Sequence, residues 1–366
     1  MRLAWKELIR RPARFLSTGG ALTLIVVLLL LLGGLLDGLT LSATGAYGAQ
    51  TADLLVYTDE ANGSLFRSRI DPDVRAQLED VEGVHTVSGI GAVLLPARIA
   101  GSPDPTDVAV FGYEAPNAQV PAPPAGGEAY VDRTLADAGL ALGEIFAVGP
   151  AAVELRAKDW VDDTSFLAQA GVWADGATWR EVLAANRPDA VLPDGTWQAL
   201  LVEAEGDVDA GELASRIEAA TPGLDPQTRA QAILGLPGVE AQQGTFTNII
   251  VMTFVIAGLV VALFFALLTL ERVGLFGVLK AIGTSSRTLA GGLVVQAVAI
   301  AVGAFVVGGL VTIGLTPVVP PDVPIELVPR RAIVTALGLV VTALIGSAVS
   351  FRRIVRIDPA SAVGGS

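Results

Sequence analysis

The chain has 366 residues, no cysteine, one histidine and a formal net charge of −13. Without cysteine it forms no disulfide, and with a single histidine it lacks the ligands of a usual zinc site. Apolar residues make up 52% of the chain, and the mean hydropathy of +0.59 favours a membrane protein over a soluble one.

Four long runs without a charged side chain dominate the sequence. They cover residues 15–36, 241–270, 288–321 and 332–351, and each is long enough to span a bilayer, which takes about 20 apolar residues. The first run follows a basic terminus, as a signal sequence does. It is too long for one and has no small-residue cleavage site, so we interpret it as an anchor. The predicted fold class is an α-helical membrane protein with four transmembrane helices (1+3) and a large α+β extracellular domain between helices 1 and 2.

Charge predicts the orientation of these spans. Eleven lysines and arginines and only three acids flank them on one side, and such positive flanks stay in the cytoplasm. Both termini are then cytoplasmic in a multi-pass protein of the cell membrane. The predicted segments are a cytoplasmic amphipathic N-terminus (1–14), TM1 (15–40), the extracellular domain (41–240), TM2 (241–270), a cytoplasmic coupling helix or loop (271–287), TM3 (288–316), a short extracellular loop (317–331), TM4 (332–351) and a cytoplasmic tail (352–366).

The region between the first two runs is acidic and of mixed secondary structure. Residues 41–245 carry 31 acids against 11 bases, which argues against nucleic acid as a partner. Apolar alternation predicts strands at 53–57, 84–88 and 92–100. Helices are predicted from Pro72 and over 211–220, the second followed by a turn and a polar segment. The two helical stretches share a plan, so a duplicated helix–strand unit is one interpretation.

No catalytic constellation is evident in this region. His85 lies in a predicted strand without a nucleophile motif, which favours a surface histidine over a triad member. Asp159, Asp162 and Asp163 could hold a cation, although a solvated acidic loop explains them as well. The chain has no phosphate-binding loop, so we predict that it is not an enzyme and binds no permanent cofactor.

Three stretches carry a family resemblance. The segment from Leu270 to Arg287, with Phe276-Gly-Val-Leu-Lys-Ala-Ile-Gly at its centre, resembles the signature of the MacB/FtsX-type permeases of ABC systems. The opening Leu3-Ala-Trp-Lys-Glu-Leu and the tail Ile357-Asp-Pro-Ala-Ser-Ala also fit this family. Within it the chain is most similar to the haem-exporter branch of HrtB and DevC. It departs from many members at Val273–Phe276, where they have a charged pair.

The resemblance implies partners and a mechanism. Two permease chains would pair in the lipid membrane, and two copies of a separate ABC ATPase subunit, which binds ATP and Mg, would dock on the loop after the second span. The residues expected to couple the subunits are Arg272, Phe276, Leu279, Lys280 and Gly283. Apolar residues on one face predict a short interfacial helix that Gly283 ends, although a plain membrane-surface turn remains an alternative.

The cargo implied by the branch is haem. Haem iron is held by His, Met, Cys or Tyr, and its propionates need cations. The pocket candidates near the outer ends of the spans are Asp37, Tyr47, Tyr57, Glu240, Gln243, Met252, Arg330 and Arg331, with no resident metal. Alternatives are a MacB-like exporter of another amphipathic compound or peptide, and an FtsX-like transmitter that regulates an extracellular cell-wall hydrolase.

Overall fold

The computed structural model describes residues 12–271, 273–320 and 323–355. They fall into two compact units, one of residues 39–242 and one formed by the segments before and after it. In chain order the elements are α1 (Pro12–Gly48), β1 (Leu54–Thr58), α2 (Pro72–Glu79), β2 (Val84–Arg98), β3 (Thr106–Tyr113), β4 (Glu128–Asp132), α3 (Thr134–Asp137), β5 (Ile145–Val148), β6 (Val153–Val161), β7 (Ala170–Asp175), α4 (Gly176–Asn186), β8 (Ala199–Ala204), α5 (Ala210–Ala220), β9 (Leu224–Thr228), α6 (Arg229–Gly235), α7 (Val239–Glu271), α8 (Val273–Ala281), α9 (Ser286–Leu315) and α10 (Pro329–Val355).

Long apolar helices make up most of the helical unit, the residues before 39 and after 242. Within the described ranges, four helices are long and apolar enough to cross a membrane: Ser17–Gly48, Val239–Glu271, Ser286–Val318 and Pro329–Ala348. One of them precedes the strands in the chain and three follow. The first helix continues past the end predicted at residue 40 and stops at Gly48.

All four long helices contribute to the core of the helical unit. Val26 of α1, Phe265 of α7, Ala301 of α9 and Leu339 of α10 are fully or almost fully buried in one cluster. Other apolar side chains of the same helices are exposed, including Leu259, at 65%. An apolar surface of this kind matches lipid better than it matches water.

Nine strands form the sheet of the other unit, residues 39–242, which we call the sheet unit. One end of the sheet has the order β2-β8-β1-β9, with every neighbouring pair antiparallel. Here β1-α2-β2 and β8-α5-β9 are two equivalent strand–helix–strand units, interleaved as in a ferredoxin-like fold. The weak internal similarity of the two helical stretches therefore corresponds to a structural repeat.

The other end of the sheet closes on itself. The order β3-β7-β4-β6-β5-β2 continues through a further β2–β3 pairing, so these six strands form a ring. Strand β2 belongs to both parts, since Val84–Ile90 pairs with β8 and Ile90–Ala97 with β3. The ring is inserted between the two halves of the four-stranded part.

Two details of the predicted secondary structure need correction. The strands predicted at 84–88 and 92–100 are one strand, Val84–Arg98. Inside this strand, a Cβ at Gly91 would lie 2.2 Å from the ring of Trp179. The glycine therefore leaves space for the Trp179 ring to pack on the strand and does not interrupt it. The polar segment after α5 is the strand β9, whose Pro226 is tolerated because β9 is an edge strand.

Candidate functional site

The candidate coupling segment is the helix α8, which joins the long helices α7 and α9. Gly283 follows it with φ +98°, a conformation that favours glycine. Its amide donates to Lys280 O at 2.9 Å, and the Thr284 amide donates to Leu279 O at 2.9 Å. This pair of bonds is a Schellman cap. Because Ser285 then caps the N-terminus of α9, the turn between the two helices is short and ordered by its own hydrogen bonds.

The predicted coupling residues do not all face the same way. Phe276 is 6% exposed and belongs to the core cluster of the helical unit, and Leu279 packs against that cluster. Lys280 is partly buried and has an interaction within the chain. Arg272 lies outside the described residues. The ring of Phe276 is thus enclosed by intramolecular packing, and its role in coupling stays a prediction.

A different set of side chains gives α8 its exposed apolar face. Leu275, Val278 and Ile282 are 48%, 43% and 76% exposed. They are three and four residues apart, so they lie on one side of the helix. None of these three residues was among the predicted coupling residues, although their i, i+3, i+7 spacing is visible in the sequence. We call Leu275, Val278 and Ile282 the exposed α8 face.

An ion pair links α1 to α10 within the helical unit. Nε and Nη2 of Arg331 donate to the two carboxylate oxygens of Asp37, a bidentate arrangement. The Asp37 side chain is 18% exposed and that of Arg331 is 34% exposed. The sequence suggested that Arg331 meets a haem propionate. In the structure its guanidinium group is paired with the Asp37 carboxylate instead. Arg330, the residue before it, is exposed and remains a candidate.

Space beside this ion pair is small. The cavity lined by Leu30, Asp37, Leu327 and Arg331 has a volume of about 30 Å³. That volume holds one water molecule and no haem. Among the described residues, the cavity next to Asp37 is therefore too small to enclose a haem.

Tyr47 and Tyr57 lie in the core of the sheet unit, where both are fully buried. The Tyr57 hydroxyl donates to the Tyr47 hydroxyl at 3.0 Å. Burial raises the pKa of Tyr57 well above its ordinary value, so this phenol keeps its proton. Both tyrosines are corrected from candidate haem ligands to core residues, because their hydroxyls are enclosed and bonded to each other.

Three other pocket candidates lie on α7. Met252 is 60% exposed, Glu240 is exposed and Gln243 is partly buried. Of these, the Met252 thioether is the one group that haem proteins use as an iron ligand. These three and Arg330 are the pocket candidates that the chain's own packing leaves accessible.

The remaining polar candidates of the sheet unit lie at its surface. His85 is exposed beside an irregularity in β2. Arg133 Nε lies 2.6 Å from an Asp162 carboxylate oxygen on the surface. The pKa of Asp163 is raised, mainly by burial and to a smaller extent by the negative charge of Asp162. Among the described residues, no three His, Cys, Asp or Glu side chains are grouped to hold a metal ion.

Comparison with known families fits this geometry. Residues 248–359 match the FtsX-like permease C-terminal family. The C-terminal part of the chain, residues 248–359, is therefore similar to FtsX-like permease domains. The matched residues include α8, its Schellman cap and the helices α9 and α10.

Curated relatives of this permease domain come from two groups of bacteria. An uncharacterized ABC transporter permease of Mycobacterium tuberculosis is 37% identical over 147 residues, which is 39% of this chain and 41% of that protein. A second M. tuberculosis permease is 26% identical over 371 residues, 99% of this chain and 97% of that protein. Proteins named hemin transport system permease HrtB match too; the one from Staphylococcus epidermidis is 24% identical over 143 residues, 39% of this chain and 41% of that protein. The chain thus spans about 41% of the length of the first relatives that it matches.

Two solved structures show a weak likeness to this chain. The extracellular domain of the noncanonic ABC-type transporter YknZ aligns with a TM-score of 0.34 at 11% identity, covering 49% of this chain and 100% of that one. The periplasmic region of MacB from Actinobacillus actinomycetemcomitans gives 0.36 at 11% identity, covering 50% and 91%. Scores at this level establish no functional relationship.

Proposed function

We propose that the chain is the permease subunit of an ABC-type efflux pump, which works with two copies of a separate ATPase subunit and a second copy of itself. The exposed α8 face is the observation that carries the proposal. It lies between two apolar helices, inside the segment that matches the FtsX-like permease family. Three exposed apolar side chains on a short capped helix form a surface that a protein partner can bury.

The proposed mechanism moves rigid elements and breaks no bond in the permease. The ATPase subunits would close on binding ATP and push on α8. Because Phe276 and Leu279 pack α8 against the core of the long helices, a push on the exposed face is passed to that core. In the proposed orientation, which the positive flanks support, α8 and both termini lie in the cytoplasm and the sheet unit lies outside.

Haem is the cargo that we propose. The support is the resemblance to HrtB-named permeases, at 24–27% identity over about a third of the chain. Met252 and Arg330 remain available for the iron and a propionate. Because the cavity beside Asp37 has room for about one water molecule, we propose that a haem site forms between two copies of the chain. Another amphipathic cargo, or transmission of ATPase motion to a cell-wall hydrolase, is the alternative.

Substitutions on the two faces of α8 test the docking step. We expect Ile282→Asp to leave the purified chain folded and to abolish its stimulation of the ATPase, since it places a charge in the proposed interface. Leu275→Asp should do the same. Phe276→Asp should instead lower stability, because it buries a carboxylate in the core of the helical unit.

The measurements are melting temperature, co-purification with the ATPase, and ATP hydrolysis by the complex with and without haemin. Ala290 of α9 is buried and lies outside the exposed α8 face. Ala290→Val is therefore a control for substitutions away from the proposed interface. Normal ATPase binding by both the Ile282 and Leu275 variants would contradict the docking role. Haemin that neither binds with a Soret shift nor stimulates hydrolysis would remove haem and leave the permease assignment in place.

A further inference from the structure

The sheet unit contains a cavity that the proposed export mechanism does not use. Its volume is about 290 Å³, near the lower limit for small-molecule sites. Its lining includes the middle of β2, from Ala92 to Leu94, together with Phe66 and Leu183 of α4. The cavity is therefore apolar over much of its surface and lies wholly within residues 39–242.

Two arginines border this cavity without a carboxylate partner. Among the described residues, no carboxylate oxygen lies within 4.0 Å of the guanidinium group of Arg69 or Arg187, although Asp189 also lines the cavity. Nη1 of Arg69 donates to the carbonyls of Phe66 and Ser68, at 3.0 and 2.6 Å. Its Nε and Nη2 have no acceptor within the described chain. Unpaired cations are notable here, because residues 41–245 carry 31 acids against 11 bases.

A buried side-chain amide, that of Gln198, also lines the cavity. Gln198 is 2% exposed and lines it. Its Oε1 accepts from the Ala92 amide at 2.5 Å, which fixes the orientation of the side chain, since a backbone N–H needs an oxygen acceptor. The NH₂ group of Gln198 then donates to no acceptor within the described chain. This NH₂ group is therefore available to a ligand in the cavity.

We propose that this cavity binds a small amphipathic carboxylate. The carboxylate would accept from the free guanidinium nitrogens of Arg69 and the NH₂ group of Gln198, with Arg187 supplying a second positive charge at the rim. The apolar body would pack against Phe66 and Leu183. One such ligand would make charge-assisted hydrogen bonds and also bury its apolar body, whereas a neutral ligand would gain only the apolar burial. The site is independent of the cargo that the helices would export.

Binding of 4-phenylbutyrate to the full chain in lipid nanodiscs tests the proposal. This probe is water-soluble and combines a carboxylate with an aromatic body, and 4-phenylbutanamide is its neutral counterpart. Saturation-transfer NMR and calorimetry would report binding, with empty nanodiscs subtracted. We expect the carboxylate to bind at least about tenfold more tightly than the amide, because only the carboxylate gains charge-assisted bonds.

The matched variants are Arg69→Gln and Arg67→Gln. Arg67 is exposed, donates to Glu60 O and lies outside the cavity, so its replacement should leave binding unchanged. Arg69→Gln should weaken binding of the carboxylate at least about tenfold and leave the amide unaffected. Arg187→Gln, at an exposed position, gives a second test that does not depend on the folding of the first. Equal affinity for acid and amide, equal effects of the Arg69 and Arg67 variants, or no binding to the folded chain would overturn the proposal.

Discussion

Breaking the ion pair between Asp37 and Arg331 should destabilise the helical unit in a way that depends on both partners. Removing one member of a fully buried pair costs about 3–5 kcal/mol, whereas exposed pairs contribute about 0.2–1 kcal/mol. With side chains 18% and 34% exposed, this pair lies between the two cases. We therefore expect Asp37→Asn and Arg331→Gln each to cost about 2 kcal/mol, most of it from the charge left without its partner.

The double variant should cost less than the sum of the single ones. Once both charges are removed, no buried charge is left without a partner, so we expect a coupling energy of about 1–2 kcal/mol between the two substitutions. The assay is equilibrium unfolding of the full chain in mixed micelles, monitored by circular dichroism, which reports the long helices. Tryptophan fluorescence follows the sheet unit, which holds four of the five tryptophans. Agreement of the two probes would support a two-state analysis.

Arg330 provides the matched control. It is the adjacent arginine on α10, is exposed and lies in no ion pair of the described chain. Arg330→Gln should therefore change the unfolding free energy by less than about 0.5 kcal/mol. Additive single effects, with a coupling energy below about 0.3 kcal/mol, or an equal cost for Arg330→Gln, would refute the reasoning.

Three further predictions concern other parts of the chain. Gly91→Ala places a Cβ 2.2 Å from the Trp179 ring and should cost about 1–3 kcal/mol in thermal unfolding, whereas Gly126→Ala, with its nearest atom at 3.9 Å, should be neutral. Because burial raises the pKa of Tyr57 above its ordinary value of about 10, its contribution to stability is complete below that pH and is lost as the pH rises further. Tyr57→Phe should reduce the alkaline loss of stability; an unchanged alkaline unfolding profile would contradict this. Gly283→Pro should disrupt the turn after α8 more than Gly283→Ala, since proline requires a negative φ and this residue has +98°; circular dichroism and stimulation of the ATPase would measure the difference, and equal effects would speak against it.

Features that depend on neighbours in the sequence could be predicted from the sequence. The apolar runs predicted long helices because a bilayer-length helix needs only its own backbone bonds and apolar side chains. Pro72 begins α2 as predicted, since its fixed φ suits the first turn of a helix. The helix α5 was predicted over 211–220 and observed at Ala210–Ala220 for the same local reasons.

Features that join distant residues were decided by the tertiary structure. The continuity of β2 depends on Trp179, far along the chain, and β9 is a strand because β1 supplies its hydrogen bonds. Asp37 and Arg331 are 294 residues apart, so nothing local in the sequence pairs them. Apolar spacing on α8 predicts a buried face and an exposed one, but which residues are buried depends on the core beneath them. Local backbone and side-chain preferences are written in the sequence, whereas pairing and burial depend on which distant segments meet.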